Sequence, residues 1–210
     1  MLHISTAASA EVVIKKSRFI GHAIPVDADA QAKQLLAELR RQHPKASHCC
    51  YGMIIDAQTR RSSDDGEPSG TAGAPIMAVI AQRQVEGCLV AVIRYFGGTL
   101  LGTGGLVRAY QQAAGAALDA AVLTRPVAMQ EFEVRFPYEL LGRVEHLLAP
   151  YQVTAKDCDG PEAVYRYLSQ DDLTAALAAI SAGTVRPKII GRRIIEVPLD
   201  DGRGIHPVSS

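Results

Sequence analysis

The chain has 210 residues, enough for one large domain or two small ones, and its 48% hydrophobic and 21% charged content suits a globular protein that buries a core. Lys and Arg equal Asp and Glu at 22 each, and this zero net charge excludes a histone-like, nonspecific polyanion binder. The balance is uneven along the chain: residues 1–125 carry thirteen bases against ten acids and 126–210 carry nine against twelve, which places an anionic ligand more comfortably on the first half.

Cys49, Cys50, Cys88 and Cys158 form no C-x-x-C pair, so neither a zinc knuckle nor a secreted disulfide framework is indicated. No basic, apolar leader opens the chain, and no apolar run approaches the ~20 residues that span a bilayer. A cytoplasmic protein without membrane contact is expected, and no cofactor or metal centre.

Residues 12–14 and 19–26 read as a strand pair around the basic run Lys15-Lys16-Ser17-Arg18. Residues 28–42 place Ala32, Leu35, Leu36 and Leu39 on one helical face, and His43-Pro44 ends that helix. Residues 49–55 read as a strand, 56–73 as a long polar loop, and 74–84 as a short helix with Pro75 in its first turn. Leu89-Val90-Ala91-Val92-Ile93 is a continuous apolar strand. Five glycines then fall within nine positions, Gly97, Gly98, Gly102, Gly104 and Gly105, ahead of a small-residue helix over 106–123.

Arg125-Pro126 is the expected domain boundary. Beyond it, 127–136 alternates as a strand, 138–149 is an amphipathic helix, 151–157 and 163–169 are strands, a helix capped by Asp171 or Asp172 ends near Gly183, and 189–197 is a last strand. This βαββαβ order is that of a ferredoxin-like domain. It is expected to fold by itself and to serve docking or orientation. The fold class is α+β, with domains at 1–125 and 126–198 and a disordered tail over 199–210.

The glycine segment completes neither nucleotide motif: Thr103 stands where a Walker A lysine belongs, and Val107 where a dinucleotide fingerprint needs glycine. It reads instead as an anion nest of N–H groups at Gly102, Thr103, Gly104 and Gly105, with Arg94 and Arg108 near in sequence. The bland alternative is a tight turn packed on other backbone. Asp64, Asp65 and Glu67 crowd three carboxylates into four positions, with Ser69 and Thr71 close behind. They could hold Mg²⁺ through water or act as a general base, or form a solvated loop; loops this long in compact domains tend to be functional. On a strand, His48 shares a face with Cys50 and not Cys49, so a nucleophile reading pairs those two; packed thiols beside a part-buried His is the plainer one.

Four segments carry a resemblance: Ile14-Lys15-Lys16-Ser17-Arg18-Phe19-Ile20; Ala46-Ser47-His48-Cys49-Cys50; Ser63-Asp64-Asp65-Gly66-Glu67-Pro68-Ser69-Gly70-Thr71-Ala72-Gly73; and Arg94-Tyr95-Phe96-Gly97-Gly98-Thr99-Leu100-Leu101-Gly102-Thr103-Gly104-Gly105-Leu106-Val107-Arg108-Ala109-Tyr110. Together they resemble the IMPACT family, in its short bacterial form, over nearly the whole chain. The resemblance implies an N-terminal domain like the second domain of a small-subunit ribosomal protein and a C-terminal one like the fifth domain of elongation factor G. It also implies a link to translation, since eukaryotic members regulate a stress-responsive initiation-kinase pathway and carry an added RWD domain for which this chain has no room. Two positions depart from the family pattern. Ala74 replaces a basic residue, and Cys49 replaces His or Asn, which weakens a paired-histidine metal site.

The function expected is therefore a translation-linked regulator that binds RNA or a ribosome-associated protein, with a phosphate-bearing ligand possible. The site is a cleft of His48, Asp64, Asp65, Glu67, Ser69, Thr71, Arg94, Tyr95, Gly97, Gly98, Gly102, Thr103, Gly104, Gly105 and Arg108. Two alternatives stay open: a small enzyme acting on a phosphorylated or nucleotide ligand at that cleft, and a protein-binding adaptor that uses the C-terminal sheet.

Overall fold

The computed structural model describes residues 1–199. The chain divides into two compact units, Met1–Arg125 and Pro126–Ser210. Of the segment 199–210 read as a disordered tail, residues 200–210 lie outside the described residues.

In the first unit, β1 (His3–Thr6), β2 (Ala8–Ile14) and β3 (Ser17–Pro25) precede α1 (Asp29–Gln42), followed by β4 (His48–Ile54) and β5 (Arg60–Ser63). Then come α2 (Gly73–Gln82), β6 (Cys88–Tyr95), α3 (Thr103–Ala120) and the start of β7 (Val122–Phe136). The sheet order is β2-β3-β6-β4-β5, each neighbour antiparallel. β6 lies at its centre, and its residues Cys88 to Arg94 are all buried. Because side chains alternate across a strand, Cys88, Val90 and Val92 join one core with α2 and α3, while Leu89, Ala91 and Ile93 join another with α1. Both faces are covered, which is why β6 reads as an unbroken apolar run. Burying Leu89 and Ile93 completely stabilises the fold by about 2–3 kcal/mol each.

The α3 helix comes very close to the sheet because its facing residues are Ala113, Ala114 and Ala117. Its closest approach is at Gly21 of β3, where a Cβ would stand 2.4 Å from the Ala113 carbonyl oxygen. Gly21→Ala would drive the helix off the strand.

In the second unit, the rest of β7 leads through a short 3₁₀ turn into α4 (Leu141–Leu148). Next are β8 (Gln152–Asp157), β9 (Ala163–Ser169), α5 (Thr174–Ile180) and β10 (Lys188–Pro198). β7 pairs with both β9 and β10, giving the order β10-β7-β9-β8 for the βαββαβ chain. Phe132, Val134 and Phe136 of β7 pack with Val144 and Leu148 of α4 and Leu177 of α5, so the helices cover one face of this sheet. The fold is thus mixed α and β.

Several elements differ from expectation. β5 lies inside the segment read as a loop: Arg60-Arg61-Ser62-Ser63 is an edge strand without apolar alternation, and such edges carry charge rather than pattern. β1 is a short strand paired with the first residues of β7. α3 spans Thr103–Ala120 rather than 106–123. β7 runs through Arg125-Pro126 without a break. Within it, Val122 to Thr124 pair with β1 and Gln130 to Phe136 with β9.

Candidate functional site

Arg94 occupies the next β6 position on the face that packs under α3, and there it is 5% exposed. A buried guanidinium needs a charged or hydrogen-bonded partner. Glu67 supplies it: Arg94 Nη1 donates to Glu67 Oε1 at 2.6 Å, with the two side chains 6% and 3% exposed. The Tyr110 hydroxyl of α3 donates to the same oxygen at 2.6 Å, and Cys50 Sγ of β4 donates to Tyr110 Oη at 3.3 Å. This chain of bonds ties β4, α3, β6 and the acidic segment into one unit. The Arg94 guanidinium also sits between the rings of Phe19 and Phe96, at 5.4 and 5.6 Å, while its Nε has no partner among the described residues.

Burial pushes the Cys50 thiol up to about 12 despite its bond to Tyr110, and pushes Cys49 up to about 11. Burial likewise pushes Tyr110 up, with Cys50 and Glu67 adding to it. Both thiols therefore stay protonated near neutral pH, and the Cys50 thiol bonds Tyr110 and the Asp64 carbonyl. These cysteines are packing residues, the plainer of the two sequence readings.

The three clustered carboxylates do not converge. Asp64 turns inward and accepts N–H bonds from Gly70, Ala72 and Gly73 at 2.8 to 3.0 Å, which seats the start of α2. Burial works to raise its carboxyl, but these donors outweigh burial and hold it below the ordinary range. Asp65 accepts from the Cys49 N–H at 2.7 Å and from Arg40 of α1 at 2.6 Å. Glu67 is taken by Arg94 and Tyr110. Among the described residues no group of three or more His, Cys, Asp or Glu is placed to hold a metal ion. Thr71 donates to the Pro68 carbonyl at 2.6 Å, a turn contact, and Ser69 is exposed.

His48 Nδ1 lies 2.8 Å from the Asp65 carbonyl oxygen. A carbonyl only accepts, so Nδ1 carries the proton; in the neutral ring Nε2 is then an acceptor, 3.9 Å from Glu67 Oε1. Tyr95 points to the other face of the sheet, where its hydroxyl meets His43 Nδ1 at 2.8 Å. Alternation along β6 puts it there, so Tyr95 stands apart from Arg94.

The glycine segment has two jobs. Gly97 packs against the Lys15-Lys16 turn and donates its N–H to Ser17 Oγ at 3.0 Å. Gly98 is exposed with φ 83°. Gly102 begins α3 with φ 70°, and no side chain caps this helix. The N–H groups of Thr103, Gly104 and Gly105 belong to a first turn whose donors have no intrahelical partner. Arg108 is exposed one turn on, its Nη1 3.7 Å from where a Gly104 Cβ would stand.

These parts border an open cleft of about 540 Å³. Of the residues expected there, His48, Glu67, Arg94, Gly102 and Thr103 line it, together with Ser47, Gly66, Pro68, Leu101 and Leu106. Asp64, Asp65, Ser69, Thr71, Tyr95, Gly97, Gly98, Gly104, Gly105 and Arg108 are not in the lining. Sequence reasoning missed the two apolar rim residues, Phe96 and Leu100, which are 49% and 83% exposed. The signal for them was present: a large apolar residue at the end of a buried strand, and another between glycines. The second unit has a smaller cavity of about 230 Å³, lined by Met129, Tyr151, Leu168, Asp171 and Ile195 among others, with no Lys, Arg or His.

A family model described as the Impact N-terminal domain matches residues 15–118. IMPACT family member YvyE of Bacillus subtilis is 35% identical over 170 residues, 78% of this chain and 78% of that protein. IMPACT family member YigZ of Escherichia coli is 39% identical over 151 residues, 70% of this chain and 71% of that protein. A crystal structure described as that of a hypothetical protein superposes with a TM-score of 0.58 at 32% identity, covering 90% of this chain and 96% of the other. The span matched by the domain model contains every residue of the cleft, and with relatives aligned over most of its length the chain belongs to the IMPACT family.

Proposed function

We propose that this chain is a translation-linked regulator that binds single-stranded RNA at the cleft of the first unit. The link to translation comes from the family, whose eukaryotic members the sequence resemblance implies to be regulators of translation initiation. One observation carries the choice of RNA: the uncapped N-terminus of α3 and the exposed ring of Phe96 border the same cleft. A helix N-terminus receives a phosphate through its free N–H groups and its dipole. An exposed aromatic face stacks a base whatever its identity. His48, its Nδ1 held by the Asp65 carbonyl, leaves Nε2 for a ribose hydroxyl, the group that separates RNA from DNA. Arg94 gives the cleft little net charge, because Glu67 neutralises it. Its role is to hold the floor and to pack against Phe96.

The test is fluorescence anisotropy of a labelled RNA octanucleotide and its DNA counterpart. RNA should bind more tightly than DNA, and Phe96→Ala should weaken RNA binding about tenfold. Equal affinity of wild type and Phe96→Ala would overturn the cleft as the site. RNase-resistant co-sedimentation with ribosomes, without binding of the octanucleotide, would point instead to a ribosome-associated protein as the partner.

A further inference from the structure

Ile14 pairs with Ser17 at the end of the β2/β3 hairpin, which leaves Lys15 and Lys16 as a two-residue loop. Their φ values are 45° and 68°. Positive φ at both loop positions is the type I′ turn that matches the twist of the flanking strands, and Asn-Gly or Gly-Gly occupies it without strain. Lysine is disfavoured at either position. An outlier of this kind is a reason to look for a function that holds it in place.

The turn is clamped to the rim of the cleft. A Cβ on Gly97 would stand 2.1 Å from the Lys16 carbonyl carbon, so only glycine allows the contact. Gly97 directly follows Phe96. Both lysines are exposed. Glu11, the only carboxylate within the hairpin, is occupied by Arg18 through two bonds at 2.8 and 2.9 Å. The two ammonium groups are therefore left uncompensated by their own hairpin, on a rigid support beside the stacking residue.

We propose that the Lys15-Lys16 turn grips the RNA backbone beyond the nucleotide stacked on Phe96, and so extends the cleft into a strand-tracking site. The inference rests on the RNA reading above. Neither lysine lines the cleft, so a mononucleotide held there is expected to miss the turn, whereas an octanucleotide is expected to meet both.

Two variants test it. Lys15→Asn/Lys16→Gly relieves the backbone and removes the charge; Lys15→Gln/Lys16→Gln removes the charge alone. Anisotropy with an RNA octanucleotide should show about a tenfold loss at low salt in both. The plot of log affinity against log salt should become shallower by about 1.4, since each single-strand phosphate contact contributes about 0.7. Binding of adenosine 5′-monophosphate should be unchanged. The Asn-Gly variant should also melt about 2–4 °C higher than wild type, and the Gln-Gln variant should not. Unchanged octanucleotide affinity and salt slope in both variants, with Phe96→Ala still weakening binding, would overturn the turn's role and leave the cleft reading standing. An equal loss for the mononucleotide would overturn the extension. No binding by wild type would overturn both readings, and a lower melting point for the Asn-Gly variant would refute the strain.

Discussion

Each unit sets glutamates against arginines, in opposite surroundings. In the first, Glu67 and Arg94 meet beneath α3 with side chains 3% and 6% exposed. In the second, Glu131 and Glu133 lie on the sheet face away from the helices. These glutamates are themselves 11% and 13% exposed, but their partners Arg193, Arg135 and Arg166 have side chains 55%, 64% and 50% exposed. The reason is the number of layers. A sheet covered on both faces leaves a charge little access to water, so it is satisfied inside, and here that pair becomes the floor of a cleft. A sheet covered on one face can roof the other with long side chains whose charged ends stay wet. The same residue types make a fixed scaffold in one place and a screened surface in the other.

The sharpest way to break this comparison is Arg94→Ala. It leaves Glu67 buried without its cation, and we expect a loss of about 3–5 kcal/mol in urea unfolding of the first unit. A loss below about 1 kcal/mol would make the two kinds of pair equivalent. It follows that an Arg94 variant is a poor probe of ligand binding, and Phe96 and Arg108 are better ones.

Asp64→Ala comes next. It removes the acceptor for the Gly70, Ala72 and Gly73 N–H groups, and the expected loss is about 1–2 kcal/mol, as for a helix cap. Hydrogen exchange at the start of α2 should accelerate most. Unchanged exchange there would mean that the segment is held by Glu67 alone.

On the face away from the helices, Glu131 is itself buried while its partner Arg193 is half exposed, so Glu131→Gln should cost about 1–2 kcal/mol, and less again in high salt. A salt-independent loss as large as that of Arg94→Ala would show that this face too is sealed.

The smallest effect is in pH dependence. Burial, and then the charge of nearby His43, hold His22 of β3 below its ordinary value of 6.5. The folded ring stays neutral while the unfolded chain takes up a proton, so the first unit should lose stability as pH falls below about 6.5. Glu133 is held below the ordinary carboxylate value by its bonds to Arg135 and Arg166, so its stabilisation persists above about pH 4.5 and is lost only on further acidification. Hydrogen exchange of β3 and β9 amides at pH 7.5 and 5 should separate the two. His22→Phe should abolish the first effect, and an unchanged response would reject the assignment to His22.

Most elements were legible because periodicity reports burial directly. The apolar run at β6, the period-two alternation at β7 and the helical face of α1 each follow from the side of the element that meets the core. β1 and β5 were not legible, since an edge strand is defined by its partner and not by its own residues. The candidate site divides in the same way. Its location was readable, because glycine density and a carboxylate cluster are local properties of the chain. The assignment of roles was not. Asp64, Asp65 and Glu67 are near neighbours in sequence, yet one seats a helix, one ties β4 to α1 and one neutralises Arg94. Tyr95 and Arg94 are adjacent and face opposite cores.

From the sequence alone came the mixed α and β class, the run of elements apart from β1 and β5, the family and the two segments that border the cleft, all properties carried by short stretches of chain. Only the tertiary structure decided that Arg94 is neutralised, that Phe96 and Leu100 form the rim, and that the Lys15-Lys16 turn is clamped against Gly97. Those depend on which residues distant in sequence are brought within a few ångströms, and both the cost of burying a charge and the steric room at a glycine are set at that range.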